Sequence, residues 1–235
     1  MVYKWLNNVQ NWLLPNNCTL CGQRGQENLA LCRDCQLNLN TINSACERCA
    51  IPLPDSVQSG ICGQCIIEPP NFDNSISLFV YETPISQMIQ SLKFNRKLAN
   101  ARLLGNLLAT HLEERKHPRP TCILPVPLHH KRLQSRGFNQ SLELAKPVSR
   151  VLDIPITQHL VKRIRHTPPQ SRLKFRERDK NVNMAFELNG HAIPKRVAIL
   201  DDVVTTGATC NAIAGLLKKA GAEHVEVWSL ARSLK

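Results

Sequence analysis

The feature that most limits how this chain can fold is a set of four Cys-x-x-Cys turns: CTLC (Cys18, Cys21), CRDC (Cys32, Cys35), CERC (Cys46, Cys49) and CGQC (Cys62, Cys65). Such a turn sets two sulfurs on one side of a tight loop, half of a tetrahedral thiolate site, and two turns complete a structural zinc site. Four turns therefore predict two zinc ions, each closed by four thiolates and so structural, not catalytic. Disulfides are the competing reading of an even cysteine count, but they need an oxidising compartment. Ten residues separate the first two pairs and twelve the last two. Both gaps suit sequential sites, Cys18, Cys21, Cys32 and Cys35 in one and Cys46, Cys49, Cys62 and Cys65 in the other, while an interleaved cross-brace stays open. Few large apolar residues lie between these cysteines, so metal binding is expected to supply much of the segment's folding free energy. Cys122 and Cys210 have no such partner and read as small buried hydrophobes.

The opening stretch MVYKWLNNVQNWLLPNN carries apolar side chains at Val2, Trp5, Leu6, Val9, Trp12 and Leu13, one stripe of a short helix. That stripe is expected to pack on its own domain; the same pattern also suits peripheral association with a membrane surface or a docking partner. The unbroken apolar core and small-residue cleavage site of a signal peptide are missing, so a reducing, cytoplasmic location is expected. No apolar run reaches the length of a transmembrane segment.

The Pro-rich EPPNF at 68–72 reads as a linker, dividing the chain into a zinc-binding region with its leading helix, 1–70, and a second domain, 71–235. Beyond the linker, strand and helix patterns alternate. SISLFVY is a strand, and TPISQMIQSLKF a helix with Thr83 as cap and Pro84 at its first position. LANARLLGNLLATHLEE follows as a helix, and CILPVP (122–127) as a short buried strand. NQSLELAKPVSRVL is a helix that Pro147 is expected to bend or divide. VAIL is a buried strand, NAIAGLLKKAGA a helix stopped near Gly221, and HVEVWSLA a last strand. Alternation of this kind predicts an α/β fold with a mostly parallel sheet flanked by helices. The charge is unevenly placed: residues 1–70 hold four Lys/Arg against five Asp/Glu, so the excess behind the net +12 lies wholly in the second domain. It is densest between His129 and Lys180, where a polyanionic partner would dock.

Within that domain, VAILDDVVTTGAT (197–209) orders its chemistry tightly. Four consecutive apolar residues suit a central parallel strand buried on both faces, and ligands of such sheets bind beyond the C-terminal strand ends. There stand Asp201 and Asp202, then Thr205, Thr206, Gly207, Ala208 and Thr209, leading into a helix expected to start near Asn211. A loop of small hydroxyl residues opening a helix offers amide and hydroxyl donors and a positive dipole end to a phosphate. Neighbouring carboxylates accept hydrogen bonds from a vicinal diol. The two halves together suit a ribose 5-phosphate.

On these residues the chain resembles the type I phosphoribosyltransferases, whose binding motif for 5-phosphoribosyl 1-diphosphate (PRPP) is four apolar residues, two acids and a phosphate loop ending in TTG-x-T. The resemblance implies that Asp201 and Asp202 form the ribose-binding and catalytic pair and that Thr205 to Thr209 hold the 5-phosphate. PVPLHHKRLQSRGFNQSLELA (125–145), LKF at 92–94, RHTPPQSRL at 165–173, Asn181 and AF at 185–186 are similar to the ComF/GntX family, competence-associated proteins with a cysteine-rich region before a phosphoribosyltransferase domain. Membership implies work in natural transformation or DNA utilisation, with single-stranded DNA and a helicase or other part of the DNA-uptake machinery as partners. It implies no particular acceptor.

Magnesium is expected to accompany PRPP, since Mg²⁺ takes substrate oxygens and water with few protein ligands. The pyrophosphate needs cations, for which the loop residues Arg132, Arg136 and Gly137 are candidates. Arg165 and Arg172 flank Pro168 and Pro169 in a stretch suited to covering the site and excluding water from a developing oxocarbenium ion. Two rivals stand beside the transferase reading. One is a non-catalytic single-stranded DNA-binding protein that keeps PRPP as a regulatory ligand, leaning on phosphate contacts because aromatic residues are 5% of the chain. The other is a nucleotide-salvage enzyme with a zinc-stabilised hood.

Overall fold

The computed structural model describes residues 17–27, 29–54, 60–115, 118–165 and 185–234. The helix expected in the opening stretch and the calls on Arg172 and on 166–184 lie outside them. The two cysteine-bearing segments each contribute one short helix, α1 (Arg33–Leu37) and α2 (Gly63–Ile67). After them run β1 (Asn74–Val80), α3 (Ile85–Asn95), α4 (Leu98–Glu113), β2 (Cys122–Pro125), α5 (His130–Arg136) and α6 (Gln140–Leu152). The chain continues through β3 (Val161–Arg163), β4 (Phe186–Leu188), β5 (Arg196–Val204), α7 (Ala208–Lys219) and β6 (His224–Arg232).

Four strands form one wholly parallel sheet in the order β1-β6-β5-β2. This is the expected fold class, a parallel sheet flanked by helices. β5 shows why its apolar run is unbroken: Val197, Ala198, Ile199 and Leu200 are all fully buried. With side chains alternating across the strand, Ala198 and Leu200 join the core built with α3, α4 and α6, while Val197 and Ile199 join the core built with α7 on the other face. β3 and β4 pair as a separate antiparallel ribbon that packs Val161 and Phe186 into this second core. Neither short strand stands out in the sequence.

Three local expectations need correction. First, Pro147 does not divide α6, and packing of its ring in the notch opposite Gly105 on α4 offsets the lost hydrogen bond. A Cβ at Gly105 would lie 2.3 Å from Pro147 Cγ and 2.8 Å from the Leu144 carbonyl oxygen. Gly105→Ala is therefore expected to lower stability by about 1–3 kcal/mol, read as a lower denaturant midpoint with an unchanged slope. Second, α3 starts one residue later than expected, with Pro84 in the cap position and no capping side chain. Third, EPPNF is no free connector. The Asn71 amide N–H donates to Asn211 Oδ1 at 2.6 Å, Phe72 is buried against α7, and the Asp73 N–H donates to the Val225 carbonyl at 2.7 Å.

The cysteine-rich segments cover the free edge of β1. The Ile42 N–H donates to the Leu78 carbonyl, the Val80 N–H to that of Asn40 and the Ser75 N–H to that of Glu47, at 2.9–3.0 Å. An open strand edge is thereby closed, and Leu31 and Leu39 join the main core beside Leu78 and Phe79. At the opposite, N-terminal end of the sheet, fully buried Glu226 is held by Arg115 at 2.9 Å and by the Trp228 indole N–H at 2.9 Å, a structural arrangement distant from the loop after β5. No helix among the described residues is long and apolar enough to cross a membrane.

Candidate functional site

β5 continues through both aspartates to Val204, so Asp201 and Asp202 stand on the strand itself, one step short of the loop. Gly207 then takes the left-handed conformation (φ 80) at the start of α7, which opens at Ala208, three residues earlier than expected. Only a residue without Cβ adopts that turn cheaply, and it swings the chain directly into the helix. The helix has no side-chain cap bond at its start. Thr206 Oγ1 accepts from the Ala208 N–H at 3.3 Å, shaping the turn. Asp201 and residues Val203 to Cys210 line a small open pocket of about 40 Å³. Amides at a helix start, three threonine hydroxyls and the helix dipole thus face one concavity, the chemistry of an anion cradle.

The two acids sit in different surroundings. Asp202 is 3% exposed and ion-paired with Lys93 of α3. Asp201 Oδ1 accepts from Ser141 Oγ at 3.0 Å and from the Asp202 N–H at 2.9 Å. Burial, then the charge of Asp202, hold the Asp201 carboxyl well above the ordinary range, at about 7, against the pull of Lys93 and the Asp202 N–H. An acid raised in the fold stabilises it while protonated, so stability falls as pH rises from the ordinary carboxylate range through about 7. Asp201→Asn keeps an acceptor for Ser141 and removes that titration. It is expected to raise the melting temperature at pH about 8 and to change it little at pH about 5; equal shifts at both would contradict the assignment.

The stretch expected as a loop with Arg132, Arg136 and Gly137 is a short helix, α5, closed by Gly137 at φ 84. The RGFNQ residues are largely architectural. Asn139 caps α6 by accepting from the Ser141 N–H and ties it to β2 through the Val126 carbonyl, both at 3.0 Å, which aims Ser141 at Asp201. Arg136 donates to Gln140 Oε1 at 2.5 Å and lies 5.9 Å from the centre of the Phe94 ring, which is 74% exposed. Burial lowers the Arg136 pKa, while the charge of Asp202 opposes that shift. Arg132 influences both Arg136 and Arg163.

Arg165 lies beyond the end of β3 and is exposed. Arg163, one turn of the pleat earlier, is the arginine that faces inward: it stacks 5.3 Å from the Phe186 ring and feels the charge of Asp201. Lys93 and Ser141, which contact the two acids, and Phe94 and Arg163 are therefore candidate site residues that spacing does not reveal. LKF carries the only signal for two of them, and the β3–β4 pairing is needed to choose Arg163 over Arg165.

In the cysteine-rich region the sulfurs of Cys18, Cys21, Cys32 and Cys35 lie within 4.8 Å of one another, as do those of Cys46, Cys49, Cys62 and Cys65. The sequential arrangement, not the cross-brace, brings the ligand atoms together. Burial opposes ionisation of Cys18, but amide N–H groups of Cys32, Cys21 and Leu20 outweigh it and bring the thiol to about 6. Cys46 is brought to about 7 in the same way, by the amides of Cys62, Cys49 and Arg48. Two clustered sets of four soft ligands, each with a thiolate already favoured, fit two structural zinc ions.

Residues 9–66 match the family model described as the double zinc ribbon domain. Along its length the chain is 37% identical to competence protein F of Haemophilus influenzae, over 92% of this chain and 96% of that one. The chain belongs to the competence protein F family. It is also 36% identical to DNA utilization protein YhgH of Escherichia coli K12, over 94% of this chain and 99% of that protein. Among solved structures it is similar to a hypoxanthine phosphoribosyltransferase from Staphylococcus aureus, at 14% identity and a TM-score of 0.38 over 57% of this chain and 64% of that one. A likeness at that level bears on neither substrate nor chemistry. For this competence protein F family member, the site must be read from its own residues.

Proposed function

We propose that this protein binds PRPP with magnesium at the C-terminal edge of β5 and acts in handling incoming single-stranded DNA. The observation that carries the reading is the shared concavity: one pocket is lined by a diol-accepting carboxylate, Asp201, and by the whole Thr205–Thr209 turn at the start of a twelve-residue helix. The 5-phosphate would lie against the amides and hydroxyls of that turn, and the diol on Asp201 and Asp202. Lys93, Arg132, Arg136 and Arg163 supply cations on the neighbouring elements for the pyrophosphate. The hard oxygens of the acidic pair beside those cations suit a magnesium ion held chiefly by substrate oxygens, and such an ion would neutralise the leaving pyrophosphate.

The DNA part of the reading draws on the relatives, which are named for competence and DNA utilisation. It is supported by the placement of the positive charge in the sheet domain and by the exposed Phe94 ring beside Arg136, a surface on which a base stacks. Calorimetry of the zinc-loaded protein with Mg-PRPP tests the first half, and a single-stranded DNA titration across salt tests the second. Saturable PRPP binding is expected, with DNA affinity falling steeply between about 50 and 200 mM salt. Absence of PRPP heat overturns the sugar-phosphate reading, and a salt-independent DNA affinity overturns the phosphate-contact reading.

A further inference from the structure

Arg232 ends β6 and is 6% exposed, yet among the described residues its guanidinium donates only to carbonyl oxygens. Nε donates to the Cys49 carbonyl at 2.9 Å. Nη1 donates to the Val204 carbonyl at 3.1 Å, to the Ser233 carbonyl at 2.8 Å and, more closely still, to the carbonyl of Thr205. The Ser233 N–H adds a bond to the Val204 carbonyl at 2.9 Å. Cys49 belongs to the second cysteine quartet, Val204 ends β5 and Thr205 is the first residue of the phosphate turn. No carboxylate pairs with Arg232 among the described residues, so a buried, rigid cation backs the turn on one side and grips the metal knuckle on the other. A guanidinium has a fixed planar fork, which a flexible ammonium cannot reproduce across two such partners.

We propose that Arg232 is a positioning residue that couples the second quartet to the phosphate turn, so that metal held by Cys46, Cys49, Cys62 and Cys65 sets the grip on the sugar phosphate. The proposal rests on the phosphate reading of the turn, but the coupling itself is structural and has its own readout. The quartet holds the Cys49 carbonyl in place, Arg232 holds the Thr205 carbonyl relative to it, and the amides of the turn are aimed as a result. Linkage requires the reverse as well: phosphate on the turn slows loss of the second metal ion.

The test is amide hydrogen exchange on the full-length, zinc-loaded chain, comparing Cys62→Ser, Cys21→Ser and Arg232→Lys with the parent. Expected is about five-fold or greater acceleration at residues 206–209 in Cys62→Ser and in Arg232→Lys, the latter with both zinc ions retained, and none in Cys21→Ser. Ile199 and Leu200, inside β5, report whether a variant has loosened as a whole; if Cys62→Ser does so, Arg232→Lys decides alone. Unchanged exchange at the turn in Arg232→Lys, or equal acceleration on loss of either quartet without loosening of β5, overturns the coupling. Mg-PRPP is then titrated into the parent and into Arg232→Lys, with about ten-fold weaker binding expected in the variant. If the parent binds no PRPP, the functional reading fails while the exchange result still stands or falls by itself.

Discussion

Cys46→Ser is expected to reduce bound zinc from two ions to one and to unfold the segment around the second quartet at temperatures where the parent is native. A structural zinc ion contributes about 10–16 kcal/mol to a small metal module, comparable to or larger than the whole stability of an ordinary domain, about 5–15 kcal/mol. Little else holds this segment. From Cys46 to Cys65 the described core residues are Cys46, Cys65 and Ala50, which is 1% exposed. Its bonds to the rest of the molecule, the Ser75 N–H to the Glu47 carbonyl and Arg232 to the Cys49 carbonyl, hang on the shape of the knuckle. Loss of the first quartet through Cys18→Ser is expected to loosen the segment of Leu31 and Leu39, which with Cys18 and Cys32 joins the core beside Leu78 and Phe79, without reaching the turn at 206–209. Metal analysis and thermal melts check both variants. Full retention of two zinc ions in Cys46→Ser would mean that the quartet is not a ligand set.

Asp202→Ala is expected to weaken Mg-PRPP binding about 100-fold or more while moving the melt only slightly. The loss follows from removing charge-assisted hydrogen bonds to the diol, worth about 1.5–3 kcal/mol each. The small effect on folding follows from the partner. Lys93 has a side chain 21% exposed and can turn its ammonium into water once the carboxylate is gone, so no charge is trapped in the interior. Asp201 also gains, since a neighbouring negative charge that held its carboxyl up has been removed. Calorimetry and a denaturant curve on the same preparation separate the two effects. Unchanged affinity with an unchanged melt would remove the acidic pair from the site.

Much of this was legible along the chain. Buried strands announce themselves by runs such as VAIL, and all four strands of the parallel sheet fall where the apolar pattern sets them. The errors are local and share one cause. Pro147 inside a helix reads as a break because a lost hydrogen bond is a property of the residue, whereas the ring's fit against Gly105 is a property of two helices. EPPNF reads as a linker because of its prolines, whereas the contact of Asn71 with Asn211 joins positions far apart in sequence. The β3–β4 ribbon is too short for any period to show.

By itself the sequence determined the sulfur pairs, the order of the longer strands and helices, and the small-residue turn ahead of α7, because each depends on spacings of a few residues that local geometry enforces. The tertiary structure alone decided which cation meets the acids, bringing Lys93 of α3 onto Asp202 of β5. It also decided that the zinc-binding segments close the sheet edge and reach the phosphate turn through Arg232. Those contacts join segments distant in the chain, and their energies come from packing and desolvation that no local spacing encodes.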